Sequence, residues 1–246
     1  MNDLAAFIIL TSNTTEFTKK CVESIKKETN YKNYKIIVVD NGSNNDEGFR
    51  LCQINGVDKL IELDSNKGFA GGMNEGIKMA MKLQAEYMFL INCDVVVSKN
   101  WATNMIKCSK ETDSGIVGCL SNYICEEEQQ IQSYNNKTPN RYINISVKPD
   151  SFIVFLVVLL TRATIKKVGY LDEMFYPINY EDNDYSMRAK INGINLKIDG
   201  FTYIWHNPGS VPTQRVVKNR DETFKRNREL YHNKWKEERE PVGLGI

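Results

Sequence analysis

Lys35–Asp46 reads KIIVVDNGSNND. Four β-branched residues in succession, Ile36 to Val39, favour an extended strand. The run has no polar alternation, so both of its faces need cover, as in a parallel sheet with helices on each side. It ends on a carboxylate, Asp40, and then on a dense cluster of turn formers. Ligands of such sheets bind beyond the carboxyl ends of the strands. Asp40 therefore has two readings: an Asx-turn or helix N-cap, or a carboxylate accepting a hydrogen bond from a nucleobase ring N–H.

The same grammar continues on both sides. AAFIILTS (Ala5–Ser12) is a strand entering a loop, and TEFTKKCVESIKKET is a helix with Phe17, Cys21, Val22 and Ile25 on one face and Thr14 or Thr15 as N-cap. GFRLCQING is helical up to Gly56, and KLIEL (Lys59–Leu63) is a short third strand. NKGFAGGMNEG (Asn66–Gly76) is rich in glycine and runs into the helix MNEGIKMAMKLQ (Met73–Gln84). Gly68, Gly71 and Gly72 would let backbone approach a ligand, or they mark an ordinary strand–helix connection. The stretch matches neither a Walker loop nor a dinucleotide fingerprint.

Phe89–Ser98, FLINCDVVVS, sets Asn92 and Asp94 inside an apolar run, with YMFLINCD as the fourth strand. An ionised carboxylate in a strand core costs several kcal/mol unless paired (~2–7 kcal/mol even for a neutral polar group). A hard divalent cation, completed by phosphate oxygens and water, would pair it, as would backbone N–H groups of the next loop. Cys93 points to the opposite face. Thr11, Ser12, Asp40 and Asp94 all fall at strand ends and form a set.

The second half is less regular. WATNMIKCSKET reads as a helix, GIVGCLS as a strand, and the polar stretch Cys125–Asp150 as loops or edge strands. FIVFLVVLL (Phe152–Leu160) is a buried strand, about half the length of a membrane span. YEDNDYSMRAKING is a helix stopped by Gly193, opening on Glu181, Asp182 and Asp184. Those carboxylates complement a helix dipole, or one of them is a general base raised by its neighbours. His206 closes a strand in YIWHNPGS, either packed or a metal ligand. The charged C-terminal helix packs Phe224, Tyr231 and Trp235 on the domain. The other reading is contact with an acceptor, a partner or an anionic membrane through Arg215, Lys218, Arg220, Lys225 and Arg226.

The 246 residues suit one α/β domain, with no second domain boundary in the pattern. Thirty-two basic against 31 acidic residues leave a net charge of +1, which argues against a nucleic-acid binder. Six cysteines without a CxxC pair, with Cys52, Cys93 and Cys119 beside apolar residues, indicate free thiols in a reducing compartment. The N-terminus lacks a basic n-region, so a cytoplasmic location is expected, peripheral to the inner membrane surface at most.

Taken in order, FIILTSN, IIVVDNGSNND, NKGFAGGMNEGI, FLINCDVVV, IKKVGYLDEMFYPINYEDNDYSMRAKINGINL and YIWHNPGS resemble the family 2 glycosyltransferases of GT-A fold, in their rhamnosyltransferase-like and polysaccharide-synthesis branch. The resemblance spans Ala5 to His206. It implies an α/β fold with a single Rossmann-like, mostly parallel sheet, helices on both faces and a C-terminal helical extension. Residues 1–120 would form the nucleotide-binding half, 121–210 the acceptor and catalytic half, and 211–246 the tail. It implies that Thr11 and Asp40 are the base-binding pair and that Asn66 and Gly68 belong to the nucleoside-binding loop. Ser12, Asn13, Asn41, Gly42, Lys67, Gly71, Asn74, Asn92 and Cys93 would complete the nucleotide and donor site. Asp94 and His206 would hold Mn²⁺ or Mg²⁺, and Asp182, next to Glu181, would be the catalytic base of an inverting transfer.

The implied partners are a nucleotide-diphosphate sugar (a UDP-sugar first, dTDP-rhamnose next) and a glycan, lipid-linked or protein acceptor. Two departures stand out: Asn92 where the metal motif usually begins with Asp, and bulky VFLVVLL where the family has small residues. The competing readings are a non-catalytic nucleotide-sugar-binding scaffold and a sugar nucleotidyltransferase. The latter wants a basic Gly-rich loop that LTSNTTEF lacks.

Overall fold

The structure is a computed structural model describing residues 3–44, 46–125, 129–130, 144–148, 151–207 and 219–236. Four strands form its parallel half: β1 (Ala5–Thr11), β2 (Tyr34–Asp40), β3 (Lys59–Glu62) and β4 (Tyr87–Asn92). They lie in the order β3-β2-β1-β4, with Phe7 level with Ile36 and Phe89. Helices α1 (Thr15–Glu28), α2 (Glu47–Cys52) and α3 (Gly68–Lys82) make the crossovers. The absence of polar alternation has the expected cause. Phe7, Ile9, Phe89 and Ile91 enter a core with α1, while Ile8, Met88 and Leu90 enter a second core with α3.

Beyond β4 the sheet becomes mixed. A short β5 (Val95–Val97) follows, then α4 (Trp101–Glu111), β6 (Ser114–Ser121), β7 (Ile145–Ser146), β8 (Val157–Thr161), α5 (Arg162–Val168), a 3₁₀ turn (Glu173–Phe175), α6 (Glu181–Ile191), β9 (Asn195–His206) and α7 (Arg220–Lys234). The full order is β3-β2-β1-β4-β8-β6-β9-β5, with β7 on β9. β8 runs antiparallel between β4 and β6, and β9 runs parallel to β6 with two register shifts. Trp101 on α4 seals the first core against Phe7 and Phe89, with ring centroids at 4.8 and 5.0 Å.

Three expectations need correction. FLINCDVVVS is not one strand: the chain turns at Cys93–Asp94, so Asp94 sits on a turn between β4 and β5. FIVFLVVLL contributes only its last four residues, Val157 to Leu160, to β8; its earlier residues run as coil into the core. Cys52 is exposed, because it ends the short outer helix α2, whereas Cys93 and Cys119 are buried; all six cysteines are free thiols. Much of the polar Cys125–Asp150 stretch, Arg215 and Lys218 lie outside the described residues. Among the described residues no helix is long and apolar enough to cross a membrane.

The glycines of Asn66–Gly76 belong mostly to α3 rather than to a loop. Gly76 lets the helix ride directly on the sheet: a Cβ there would stand 2.2 Å from Ile8 Cγ2 and 3.2 Å from Val39 Cγ2. Both neighbours are rigid β-branched core residues. Gly76→Ala is therefore expected to cost about 1–3 kcal/mol by overpacking, read as a lower denaturation midpoint with unchanged circular dichroism. A midpoint equal to wild type would mean the helix is free to lift.

Candidate active site

Two clusters stand at the carboxyl ends of the strands. The first ties three loops together. Asn13 Oδ1 accepts from Asn44 N at 2.9 Å, and its own N–H donates to Ser43 Oγ at 2.8 Å. Asp40, buried, accepts from Ser43 N at 3.1 Å, which is the Asx-turn. Asn41 braces the next loop, donating to Gly68 O at 2.9 Å and accepting from Lys67 N at 2.8 Å. Asn66 donates to Ser12 Oγ at 3.4 Å and accepts from Gly68 N at 2.8 Å. Gly42, at φ +67°, has no room for a Cβ, which would lie 2.4 Å from Asn66 N. Ser12, Asn13, Asp40, Asn41, Gly42, Asn66, Lys67 and Gly68 are thus one hydrogen-bonded surface.

Four predicted residues turn away from it. Thr11 is buried, with its hydroxyl bonded to Thr14 (2.9 Å) and Thr18 (2.8 Å) beneath α1. Cys93 joins that network through Thr14 Oγ1 at 3.3 Å, and burial pushes its thiol up to about 12, leaving it neutral. Asn74 spends its amide on Leu171 and Glu173. Gly71 makes room for Lys67 Cβ and Glu173, not for a ligand. Period-2 geometry along β1 and period-3.6 geometry along α3 send Thr11 and Asn74 inward.

The second cluster surrounds a cavity of about 450 Å³. Asn92, His206, Glu181 and Asp182 all line it. Val95 pairs with His206 across β5 and β9. That register brings His206 Nε2 to 3.4 Å from Asp94 Oδ2. His206 Nδ1 lies 2.8 Å from the Tyr123 carbonyl, which can only accept, so the proton is on Nδ1 and Nε2 faces Asp94. Asn122 clasps the His206 backbone on both sides, at 2.7 and 3.0 Å. Burial opposes a charge on His206, but the hydrogen bond and negative charge of Asp94 outweigh it, and the imidazole pKa is raised.

Helix α6 opens after two left-handed residues, Asn179 (φ 79°) and Tyr180 (φ 75°). Glu181 is buried, and its Oε2 has no hydrogen-bond partner. Burial drives its carboxyl well above the ordinary 4.5, Asp182 pushes the same way, and backbone N–H groups pull back only in part. Asp182 lies on the cavity wall and accepts from Asn183 N at 2.9 Å. Asp184, the third acid of the cluster, is structural, buried between Arg188 (2.8 Å), Trp235 Nε1 (3.0 Å) and Lys234 (2.7 Å). The remaining walls are largely aromatic, including Phe69, Phe155 and Phe224, and Arg220 of α7 stands at the rim. These walls, Tyr123 and Asn122 carried no sequence signal beyond being apolar or polar in a loop.

Asp94 Oδ2 and His206 Nε2 are oxygen and nitrogen donors suited to a divalent cation, and the Tyr123 carbonyl orients the imidazole as metal sites require. Among the described residues no group of three or more His, Cys, Asp or Glu side chains is placed to hold a metal ion alone. A cation here would need further oxygens from its ligand and water.

A mixed sheet, a stitched surface at the strand ends and a carboxylate-bearing cavity define a GT-A-type domain. The chain belongs to glycosyl transferase family 2, whose profile matches residues 6–166. It is 30% identical over 139 residues to glycosyltransferase GlyG of Streptococcus pneumoniae serotype 4 (strain ATCC BAA-334 / TIGR4), covering 54% of this chain and 44% of that protein. Over 255 residues it is 21% identical to the protein y4gI of Sinorhizobium fredii (strain NBRC 101917 / NGR234), covering 95% of this chain and 28% of that one. The chain thus spans less than half the length of these relatives. In fold it is similar to S. aureus TarS residues 1–349 in complex with UDP-GlcNAc, at a TM-score of 0.63 and 15% identity, covering 84% of this chain and 59% of that one. For TarS itself the TM-score is 0.64 at 14% identity, covering 86% and 38%.

The Glu181 environment fixes a pH dependence. Its folded pKa lies above the unfolded value near 4.5, so its contribution to stability is full below that pH and is lost as pH rises through the raised value. Glu181→Gln is neutral at every pH. It is expected to match wild type in thermal unfolding near pH 4.5 and to become the more stable protein as pH increases. A gap that stays constant with pH would mean that Glu181 is ionised in the fold.

Proposed function

We propose that this chain catalyses inverting glycosyl transfer from a nucleotide-diphosphate sugar to an acceptor hydroxyl. The observation that carries this reading is that one cavity is lined by Asn92 and His206, whose imidazole lies beside Asp94, together with Glu181 and Asp182. An inverting displacement needs both leaving-group contacts and a base within reach of one sugar.

The stitched surface from Ser12 to Gly68 would take the nucleoside, with Asp40 toward the base. Asp94 and His206 would hold Mn²⁺ or Mg²⁺, which when bound offsets negative charge on the diphosphate. Asp182 accepts the proton of the acceptor hydroxyl as its oxygen attacks the anomeric carbon. The bond to the diphosphate breaks in the same displacement, and the configuration inverts. Glu181, neutral by burial, keeps its unpartnered oxygen for a hydroxyl in the cavity without adding charge beside Asp182. Aromatic walls exclude water and stack on sugar faces.

A UDP-sugar is the first choice of donor. The fold's likeness to TarS, a protein solved with UDP-GlcNAc, supports that choice. dTDP-rhamnose is second. The acceptor is a hydroxyl of a glycan, a lipid-linked sugar or a protein.

Calorimetric titration of UDP, dTDP and GDP, each with Mn²⁺ and with EDTA, tests the reading. One nucleotide is expected to bind in a metal-dependent way, and Asp94→Ala is expected to weaken that binding. Asp182→Asn is expected to keep the nucleotide affinity and lose about 10²- to 10⁴-fold in transfer. Nucleotide affinity indifferent to EDTA and to Asp94→Ala would remove the metal assignment, and wild-type turnover in Asp182→Asn would remove the base.

A further inference from the structure

The segment Phe175–Tyr180 delivers Glu181 and Asp182 to the cavity, and it does so in an unfavourable conformation. Asn179 and Tyr180 are both left-handed and neither is glycine. Such residues persist only where their surroundings hold them. What holds them is α7. Asn227, fully buried, aims its side-chain amide at three carbonyls of this one segment: Phe175 O at 2.7 Å, Ile178 O at 2.9 Å and Asn179 O at 3.1 Å. An amide has two N–H groups, so one of them is shared. Its own oxygen is fixed by Arg226, with Nε at 3.1 Å and Nη2 at 2.8 Å, and Arg226 also donates to Tyr176 O. Above this clasp the Tyr180 ring packs on Phe224 and Tyr231, with centroids at 5.3 and 5.5 Å. The far end of α7 is anchored by Trp235 and Lys234 on Asp184, three residues after Glu181.

We propose that Asn227 is a positioning residue for glycosyl transfer: through three hydrogen bonds it holds the segment that aims Asp182 into the cavity. The inference rests on the proposed function for its kinetic consequence, though not for its structural one. Asn227 touches no residue of the stitched donor surface. The donor-side contact of the same segment, Phe69 N–H to Pro177 O at 2.8 Å, uses a carbonyl that Asn227 does not bind. Disturbing the clasp should therefore separate catalysis from nucleotide binding.

Asn227→Asp is the decisive variant, since a carboxylate has nearly the same shape but cannot donate. Displacement of a base by about 1 Å can cost on the order of 10²-fold. Asn227→Asp is expected to lower kcat about 10- to 100-fold, to alter the basic-group limb of the pH–rate profile, and to leave nucleotide affinity within about twofold. Amide hydrogen exchange is expected to speed up at residues 178–181 and not in the β1–β4 half. Arg226→Gln, an exposed change that loosens the clasp without removing it, is expected to give a smaller loss in the same direction and serves where Asn227→Asp does not fold. Wild-type kcat and pH profile in either folded variant would overturn the proposal. So would a kcat loss matched by an equal loss of nucleotide affinity, which indicates general destabilisation. If the wild-type chain transfers no sugar, the proposed function fails; unchanged exchange at 178–181 in Asn227→Asp then overturns the clasp independently.

Discussion

The register of two short strands governs this molecule. Val95 stands opposite His206 in an antiparallel pair, so the turn preceding Val95 and the end of β9 meet at one point. Asp94 and His206 are adjacent because backbone ladders put them there; the Asp94 carbonyl also accepts from Asn207 N at 3.1 Å. A slip of one residue would send His206 to the other face of the sheet. The turn itself is held by Cys93, whose neutral thiol reaches the buried Thr14 hydroxyl under β1. The Asp94–His206 end of the cavity is thus built on sheet geometry, which positions side chains more tightly than free loops do.

The Glu181–Asp182 end is built differently. β8 enters antiparallel between β4 and β6 and brings Phe155 and Leu156 beside Asn92, whose N–H donates to Leu156 O at 3.1 Å. The chain then leaves through α5 and returns along Phe175–Tyr180. That segment is bracketed by Phe69 N–H on one side and by Asn227 on the other. Sheet, α3 and α7 therefore converge on the same six residues. The aromatics of the charged C-terminal helix, Tyr231 and Trp235, bury themselves against Phe175 in doing so.

The sequence was most legible where burial on both faces left a continuous apolar run. β1, β2 and β4, their crossover helices and the place of Asp40 at the end of β2 followed from that pattern, whereas Asp182 and His206 were singled out by the resemblance to a family and not by burial. It was misleading where an apolar run conceals a turn, as at Cys93–Asp94, because Val95–Val97 looks the same whether it prolongs β4 or pairs with β9. Glycine was misleading for a related reason. Close approach to a ligand and close approach to a strand both require a missing Cβ, and at Gly72 and Gly76 the neighbours are Leu10 and Ile8. Asn74 and Asn227 show the limit for polar residues: each is an asparagine inside a helix, and only the fold reveals which carbonyls its amide meets.

The distribution of protons around the cavity has a common sense. Burial favours a proton on Glu181. Asn92 supplies an amide where the related metal motif carries an acid. Both reduce the fixed negative charge that an incoming diphosphate would meet, and neither removes a hydrogen-bonding group from the wall. Two ionised carboxylates side by side in one 450 Å³ space would raise one another and repel such a ligand. A proton on Glu181 relieves that repulsion and leaves Asp182, at the head of α6, as the acid of the cavity wall, with Asp94 beside the imidazole of His206.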